Sequence, residues 1–300
     1  MIAAGVKHPA DLFMGYHFFP GALTALVAAG LCGGRSCYQS TGGPIEVLGG
    51  GFGNENPFMS RLASSSAVLE SLAMRLIRRF DCVVVRGGIA RRFFADTRAS
   101  VHVAVIPGSV NGDGTDAIDE RTLDMVFVGR LTEIKQPLQF VEIVAKVKAA
   151  RPTVRAAVVG DGPLLSSARQ LADRLGVSDC IEFMGRRDDV DAIVARAKVF
   201  VLTSRSEGLS IALAEAMSRG LPAVVANVGE LSALVEDDRT GWLIEPNDID
   251  AYAQRIVGLL DDEARWSAFS QAARRAARDL TGVDNVARRW DACFERLQGS

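Results

Sequence analysis

Short apolar runs alternate with amphipathic stretches along most of the chain. Runs at Leu12–Gly15, Ser36–Gln39, Cys82–Arg86, Val101–Ile106, Met125–Gly129, Ala156–Gly160, Cys180–Met184, Val199–Thr203 and Ala223–Ala226 each predict a strand. Between them, Gln136–Ala149, Leu164–Leu175 and Ile211–Arg219 carry apolar residues at three- and four-residue spacing and predict helices. Repeated β–α alternation, with few hairpin signals, predicts an α/β protein with parallel sheets covered by helices. The Gly- and Asp-rich stretch Gly108–Glu120 is nearly free of large apolar residues and reads as a linker. It separates a first domain, residues 1–113, from a second, residues 121–280, which opens on a fresh strand. Residues 281–300 predict a closing helix, about Val283–Leu297, after a break at Thr281-Gly282. This helix is expected to return toward the first domain.

Composition narrows the class. At 300 residues and 48% hydrophobic, the chain can bury two cores. A net charge of −2 argues against a nucleic-acid partner. The five cysteines, Cys32, Cys37, Cys82, Cys180 and Cys293, form no CxxC pair and have no histidine nearby in sequence. They read as reduced, buried thiols, not as a disulfide frame or a zinc site. No apolar run approaches a membrane span, and the first residues lack the order of a signal peptide, so the reading is a soluble, cytoplasmic protein.

The densest chemistry lies at Ser204–Ser210, a polar loop at the carboxyl end of a predicted parallel strand, where open α/β sheets bind ligands. The helix that follows offers unpaired N–H groups and a positive dipole end, suited to a diphosphate. Gly208 allows close backbone approach. Glu215 lies two helical turns further on, on the same face, and its side chain leans back toward the helix start. Glu207 sits in the loop itself. Carboxylates flanking a phosphate-binding helix start suit a diphosphate with hydroxyls on both sides, the shape of a nucleotide sugar. After the first strand of the second domain, Arg130 and Lys135 supply cations that would stabilise a departing diphosphate.

Five motifs stand in order: Gly129-Arg130-Leu131 with Lys135, Gly160-Asp161-Gly162-Pro163, Glu207-x7-Glu215, Gly220-Leu221-Pro222 and Gly229-Glu230. Together they resemble the second domain of the GT-B glycosyltransferases, specifically the large retaining group called glycosyltransferase family 4. The resemblance covers about residues 121–300. It implies two Rossmann-like domains. It also implies a catalytic set of Glu207, Arg130 and Lys135, with Arg130 and Lys135 on the donor diphosphate and Glu207 on the transferred sugar. Glu215 would hold the ribose, the amides of Leu209 and Ser210 the phosphate, and Met184, Gly185 and Arg186, together with Arg187, the base. Gly129 and Gly208 would complete the donor site. The expected reaction is transfer from a nucleotide-diphosphate sugar to a glycan or lipid-linked glycan with retention. A donor phosphate oxygen would accept the acceptor's proton, and neither a metal nor another cofactor would be needed. Two DxD strings, Asp189-Val-Asp191 and Asp248-Ile-Asp250, stand at predicted helix starts and read as N-caps, not as metal ligands.

The first half matches the family less closely. Only four strands are read there, whereas the family carries about seven. At roughly 30 residues per β–α–β step, the opening units are missing and the first domain is incomplete. The expectation is a chain that begins inside its first domain, binds a nucleoside diphosphate and transfers sugar slowly or not at all. Where many members have a histidine, Thr41 and Gly42 stand instead. With His17, they are the acceptor-side candidates, and the glycine-rich stretch Ser36–Gly53 around Glu46 reads either as acceptor lining or as a structural loop. Residues 75–98 hold seven arginines among Phe80, Phe93 and Phe94, read either as a solvated helix face or as a peripheral contact with anionic lipid. The rival functions are a non-catalytic or truncated nucleotide-sugar binder, a GT-B-fold sugar-nucleotide epimerase and a nicotinamide-dependent dehydrogenase.

Overall fold

The computed structural model describes residues 11–48, 67–95, 101–111 and 121–298. The chain divides into two compact units, residues 1–108 with 286–300, and residues 109–285. Part of the Gly108–Glu120 linker, the end of the glycine-rich stretch and residues 96–98 of the basic segment lie outside the described residues.

In the first unit, β1 (Leu12–Tyr16), β2 (Arg35–Gln39), β3 (Cys82–Val85) and β4 (His102–Val105) form a parallel sheet in the order β1-β2-β3-β4. Helices α1 (Leu23–Cys32), α2 (Ala67–Ile77) and α3 (Gly88–Ala95) lie between the strands in sequence. Successive strand residues alternate between faces. Tyr38, Val83 and Val85 therefore join one cluster with Phe18, Ile77 and Phe94. Cys37, Cys82 and Val84 join another with Val286, Cys293 and Leu297 of the terminal helix (Val283–Gln298). Phe80 and Phe94 are buried, with ring centroids 5.8 and 6.0 Å from Tyr38, so the aromatic residues of the basic segment that matter most serve the core. Arg75, Arg78, Arg79, Arg91 and Arg92 are exposed.

In the second unit the elements run β5 (Leu123–Val128), α4 (Pro137–Ala150), β6 (Ala156–Val159), α5 (Leu165–Arg174), β7 (Ile181–Gly185), α6 (Val190–Ala195), β8 (Ala197–Leu202), α7 (Ile211–Ser218), β9 (Ala223–Ala226), β10 (Gly241–Ile244), α8 (Ile249–Leu260) and α9 (Glu263–Thr281). All six strands are parallel, in the order β10-β9-β8-β5-β6-β7. This is the doubly wound Rossmann order, and its switch point lies between β5 and β8. Met125, Phe127, Phe140, Phe200 and Leu202 fill the core. Tyr252 is buried with its hydroxyl donating to the Leu202 carbonyl at 2.9 Å. β10 escapes the sequence reading because it is short and follows a polar turn. What defines it is Trp242 packed on Phe269 of α9, with centroids 4.9 Å apart.

One cap needs correction. Asp248 accepts from the Ala251 amide at 3.0 Å and caps α8. Asp189 stands at the N-cap position just before α6 but makes no capping bond. Arg187 holds both of its oxygens, at 2.8 and 2.7 Å, and this charge-assisted fork outcompetes the amides. Asp191 pairs with Arg219, and Asp250 with Lys146.

Candidate functional site

The loops at the switch point carry the candidate residues. The chain leaves β5 at Gly129 and returns into α4 through Gln136, which has a left-handed φ of 49°. It leaves β8 into the loop of Glu207. The two loops are stitched together. The Thr203 hydroxyl donates to the Lys135 and Gln136 carbonyls at 3.0 and 2.9 Å, and the Arg205 amide to the Ile134 carbonyl at 2.8 Å. This brings the Lys135 ammonium onto Oε1 of Glu207, which also accepts from the Ser204 hydroxyl at 2.6 Å. The Glu207 side chain is 8% exposed, and its Oε2 has no hydrogen bond among the described residues. A nearly buried carboxylate with one oxygen secured by a cation can accept a ligand hydroxyl on the other. Gln136 and Thr203, both polar and buried, were missed by sequence reasoning, whereas the buried Ser204 opens the loop it singled out. Their signal was the lack of any apolar side chain at positions whose neighbours are core.

Glycine sets the spacing of these loops. A Cβ on Gly229, at φ 54°, would lie 1.8 Å from the Glu207 carbonyl oxygen. One on Gly160, at φ 133°, would lie 2.0 Å from the Gly129 carbonyl oxygen. The Gly-Glu turn thus seats the Glu207 loop, and the Gly-Asp-Gly turn seats the Arg130 loop, each by backbone contact that only glycine permits. Leu209 and Ser210 are buried at the start of α7, where the Ser210 hydroxyl accepts from the Leu213 amide at 3.4 Å. Gly208 lies in the bend just before them.

Arg130 is exposed and lines a cavity of about 540 Å³ with Gly129, Asp161, Arg186 and Arg187. Loops after β5, β6 and β7 converge there, bound by a Gly160 amide to Gly185 carbonyl bond of 2.8 Å. Met184 is half-buried against the core. Glu215 lies elsewhere. It lines a second cavity, about 490 Å³, with Ser109, Asn111, Asp188 and Asp191, and Val190 borders both. Partial burial, and then the Asp191 charge, hold the Glu215 carboxyl above the usual carboxylate range. The structure therefore joins Lys135 to Glu207, gathers Arg130 with Arg186, and sets Glu215 in an adjoining acidic recess.

In the first unit, His17, Thr41 and Gly42 gather around Glu46. Glu46 Oε1 accepts from the Thr41 amide at 2.7 Å, the Thr41 hydroxyl at 3.1 Å and the Gly42 amide, and lies 3.4 Å from His17 Nδ1. The Tyr38 hydroxyl donates to Oε2 at 2.8 Å. Burial, and then the Glu46 charge, push the Tyr38 phenol well above its ordinary value. His17 has a φ of 55°, and its side chain is 42% exposed. Sequence alone named the three partners but left the carboxylate that organises them as part of a loop.

A six-stranded Rossmann sheet with cations and a seated carboxylate at its switch point defines a doubly wound α/β unit with a candidate ligand site at its strand ends. Residues 115–276, more than half of the chain, match the family described as glycosyl transferases group 1, and the chain belongs to that family. It is 32% identical over 225 residues to a D-inositol 3-phosphate glycosyltransferase of Streptomyces scabiei, covering 67% of this chain and 49% of that protein. It is 34% identical over 139 residues to the UDP-Gal:alpha-D-GlcNAc-diphosphoundecaprenol alpha-1,3-galactosyltransferase of Escherichia coli, covering 45% of this chain and 36% of that protein. The chain spans less than half the length of these curated relatives. Anabaena HepE in complex with UDP superposes with a TM-score of 0.80 at 20% identity, over 98% of this chain and 82% of that one. The fold is thus GT-B, built on two Rossmann-like parallel sheets, the first with four strands among the described residues.

Proposed function

We propose that the protein transfers a sugar from a uridine-diphosphate sugar to an acceptor hydroxyl, with retention and without a catalytic metal. The observation that carries this reading is the Lys135–Glu207 pair seated at the switch point of the second unit. Lys135 and Arg130 neutralise the departing diphosphate. Arg186 flanks the base and Glu215 binds the ribose, while Glu207 orients the transferred sugar through its second oxygen. Pre-aligned cations stabilise charge that grows on the leaving group, which is the task a divalent ion otherwise performs. A donor phosphate oxygen on the attacked face takes the acceptor proton. The UDP bound by the Anabaena protein and the UDP-Gal of the E. coli relative's name support the choice of base.

The acceptor side falls to the first unit, around His17, Thr41 and Gly42. A lipid-diphosphate acceptor at a membrane surface is favoured by the exposed arginines of residues 75–92 and by the diphosphoundecaprenol substrate in that relative's name. No helix among the described residues is long and apolar enough to cross a membrane. Calorimetric titration with UDP, GDP and ADP, beside a transfer assay with no divalent metal added, tests the proposal. The expected result is preferential UDP binding and metal-free turnover. Turnover that requires manganese, or the absence of nucleotide binding, overturns it.

A further inference from the structure

The scattered cysteines are brought together by the fold. Cys37, Cys82 and His102 are register partners on the adjacent strands β2, β3 and β4, so they stand in a row across one face of the sheet. The terminal helix packs on that face through Val286, Cys293 and Leu297, which recur on one side of the helix. Sγ of Cys82 lies 3.5 Å from Sγ of Cys293, although 211 residues separate them in sequence. One donor atom each from Cys82, His102 and Cys293 lie within 4.8 Å of one another. Cys37 stands beside Cys82 as its register partner on β2.

We propose that Cys82, Cys293 and His102 form a binding site for a thiophilic divalent cation of the zinc class, with Cys37 the neighbouring donor. Zinc–sulfur bonds near 2.3 Å and zinc–nitrogen bonds near 2.0–2.1 Å give tetrahedral edges of about 3.6–3.8 Å. The 3.5 Å sulfur pair is close to that edge already, and the histidine needs a shift of about 1 Å from the 4.8 Å limit. Two sulfurs and an imidazole are a donor set that selects zinc over oxygen-seeking cations. Binding one ion releases one proton from each cysteine thiol as two metal–sulfur bonds form. A disulfide between Cys82 and Cys293 is the competing use of this cluster. It would employ two of the three donors and give His102 no part.

Such an ion would clamp the terminal helix to the sheet of the first unit and closes a loop of some two hundred residues. The test uses the full chain purified without a metal-chelating tag and equilibrated with Zn2+, with metal counted by mass spectrometry. The chain is expected to hold one zinc per molecule. Replacement by Co2+ is expected to produce thiolate-to-cobalt charge-transfer absorption and the intense visible bands of a tetrahedral ion. Cys293→Ser and His102→Ala are expected to lose both signals, and Cys180→Ser to retain them. The wild-type cobalt spectrum decides the matter even if a variant fails to fold. Substoichiometric zinc with only weak octahedral cobalt bands overturns the proposal, as does a Cys82–Cys293 disulfide in the protein as isolated. None of these readouts depends on nucleotide binding or sugar transfer.

Discussion

In residues 109–285, the polar loops beyond the strands are held backbone to backbone. In the first unit, Gly15 and Gly21 also bring main chain against main chain, but the loop after β2 is organised by a carboxylate. Gly229 and Gly160 let one main chain lie against another, and the Thr203 hydroxyl and Arg205 amide add further main-chain contacts. In the first unit, Glu46 gathers two amides, two hydroxyls and an imidazole. Asp81 likewise accepts from the Ser36 amide and hydroxyl, both at 2.8 Å, and from Arg35. A backbone contact at a positive φ admits one residue type, whereas a carboxylate cluster tolerates many arrangements of partners. The difference separates loops whose spacing rests on glycine from a loop whose spacing rests on a carboxylate.

The largest effect should come from Gly229→Ala. The new methyl meets the Glu207 carbonyl, and the φ of 54° is strained for alanine. The Glu207 loop must move, and kcat/KM with a UDP-sugar should fall about a hundredfold, near 2.7 kcal/mol. An unchanged rate would mean that side chains, not backbone contact, seat this loop.

Lys135→Ala comes next. Losing a charge-assisted hydrogen bond of roughly 1.5–3 kcal/mol should weaken UDP binding and turnover about ten- to a hundredfold, read by calorimetry and initial rates. Because the lysine is 25% exposed, the loss of thermal stability should be smaller than for a fully buried pair.

Glu46→Ala tests the other side of the comparison. It strands two amides and the Tyr38 hydroxyl, and should lower stability by about 1–3 kcal/mol in chemical unfolding while UDP affinity holds. A loss of UDP affinity as large as that of Lys135→Ala would show that the carboxylate cluster also governs the nucleotide.

The smallest effect is pH-dependent. Burial alone raises the Asp81 carboxyl, but the Ser36 amide and hydroxyl, aided by Arg35, lower it overall. A folded-state pKa below the unfolded value contributes stability above the unfolded pKa, and this is lost as pH falls through the folded one. The gap in thermal midpoint between wild type and Asp81→Asn should therefore be constant near neutrality and close below about pH 4. A gap independent of pH would assign the effect to packing.

Nine of the ten strands among the described residues, and the helices that flank the candidate loops, could be read from hydrophobic runs, because buried parallel strands are largely apolar. The motifs of the candidate site were legible from residue types that the fold makes hard to replace. Gly160 and Gly229 are irreplaceable where backbones touch, and Lys135 and Glu207 stand at strand ends that topology makes a site. Strand β10 was not legible, since its apolar side is defined by Phe269 from a helix far along the chain. Nor was the role of Glu46, which joins His17 from the end of β1 to Tyr38, Thr41 and Gly42 of its own stretch. The cysteines mark the limit most clearly. In sequence, Cys82, His102 and Cys293 share no spacing and look like isolated buried thiols and a stray histidine. Strand register and the packing of the terminal helix bring their donor atoms within 4.8 Å of one another, a proximity that depends on long-range contacts and leaves no periodic trace along the chain.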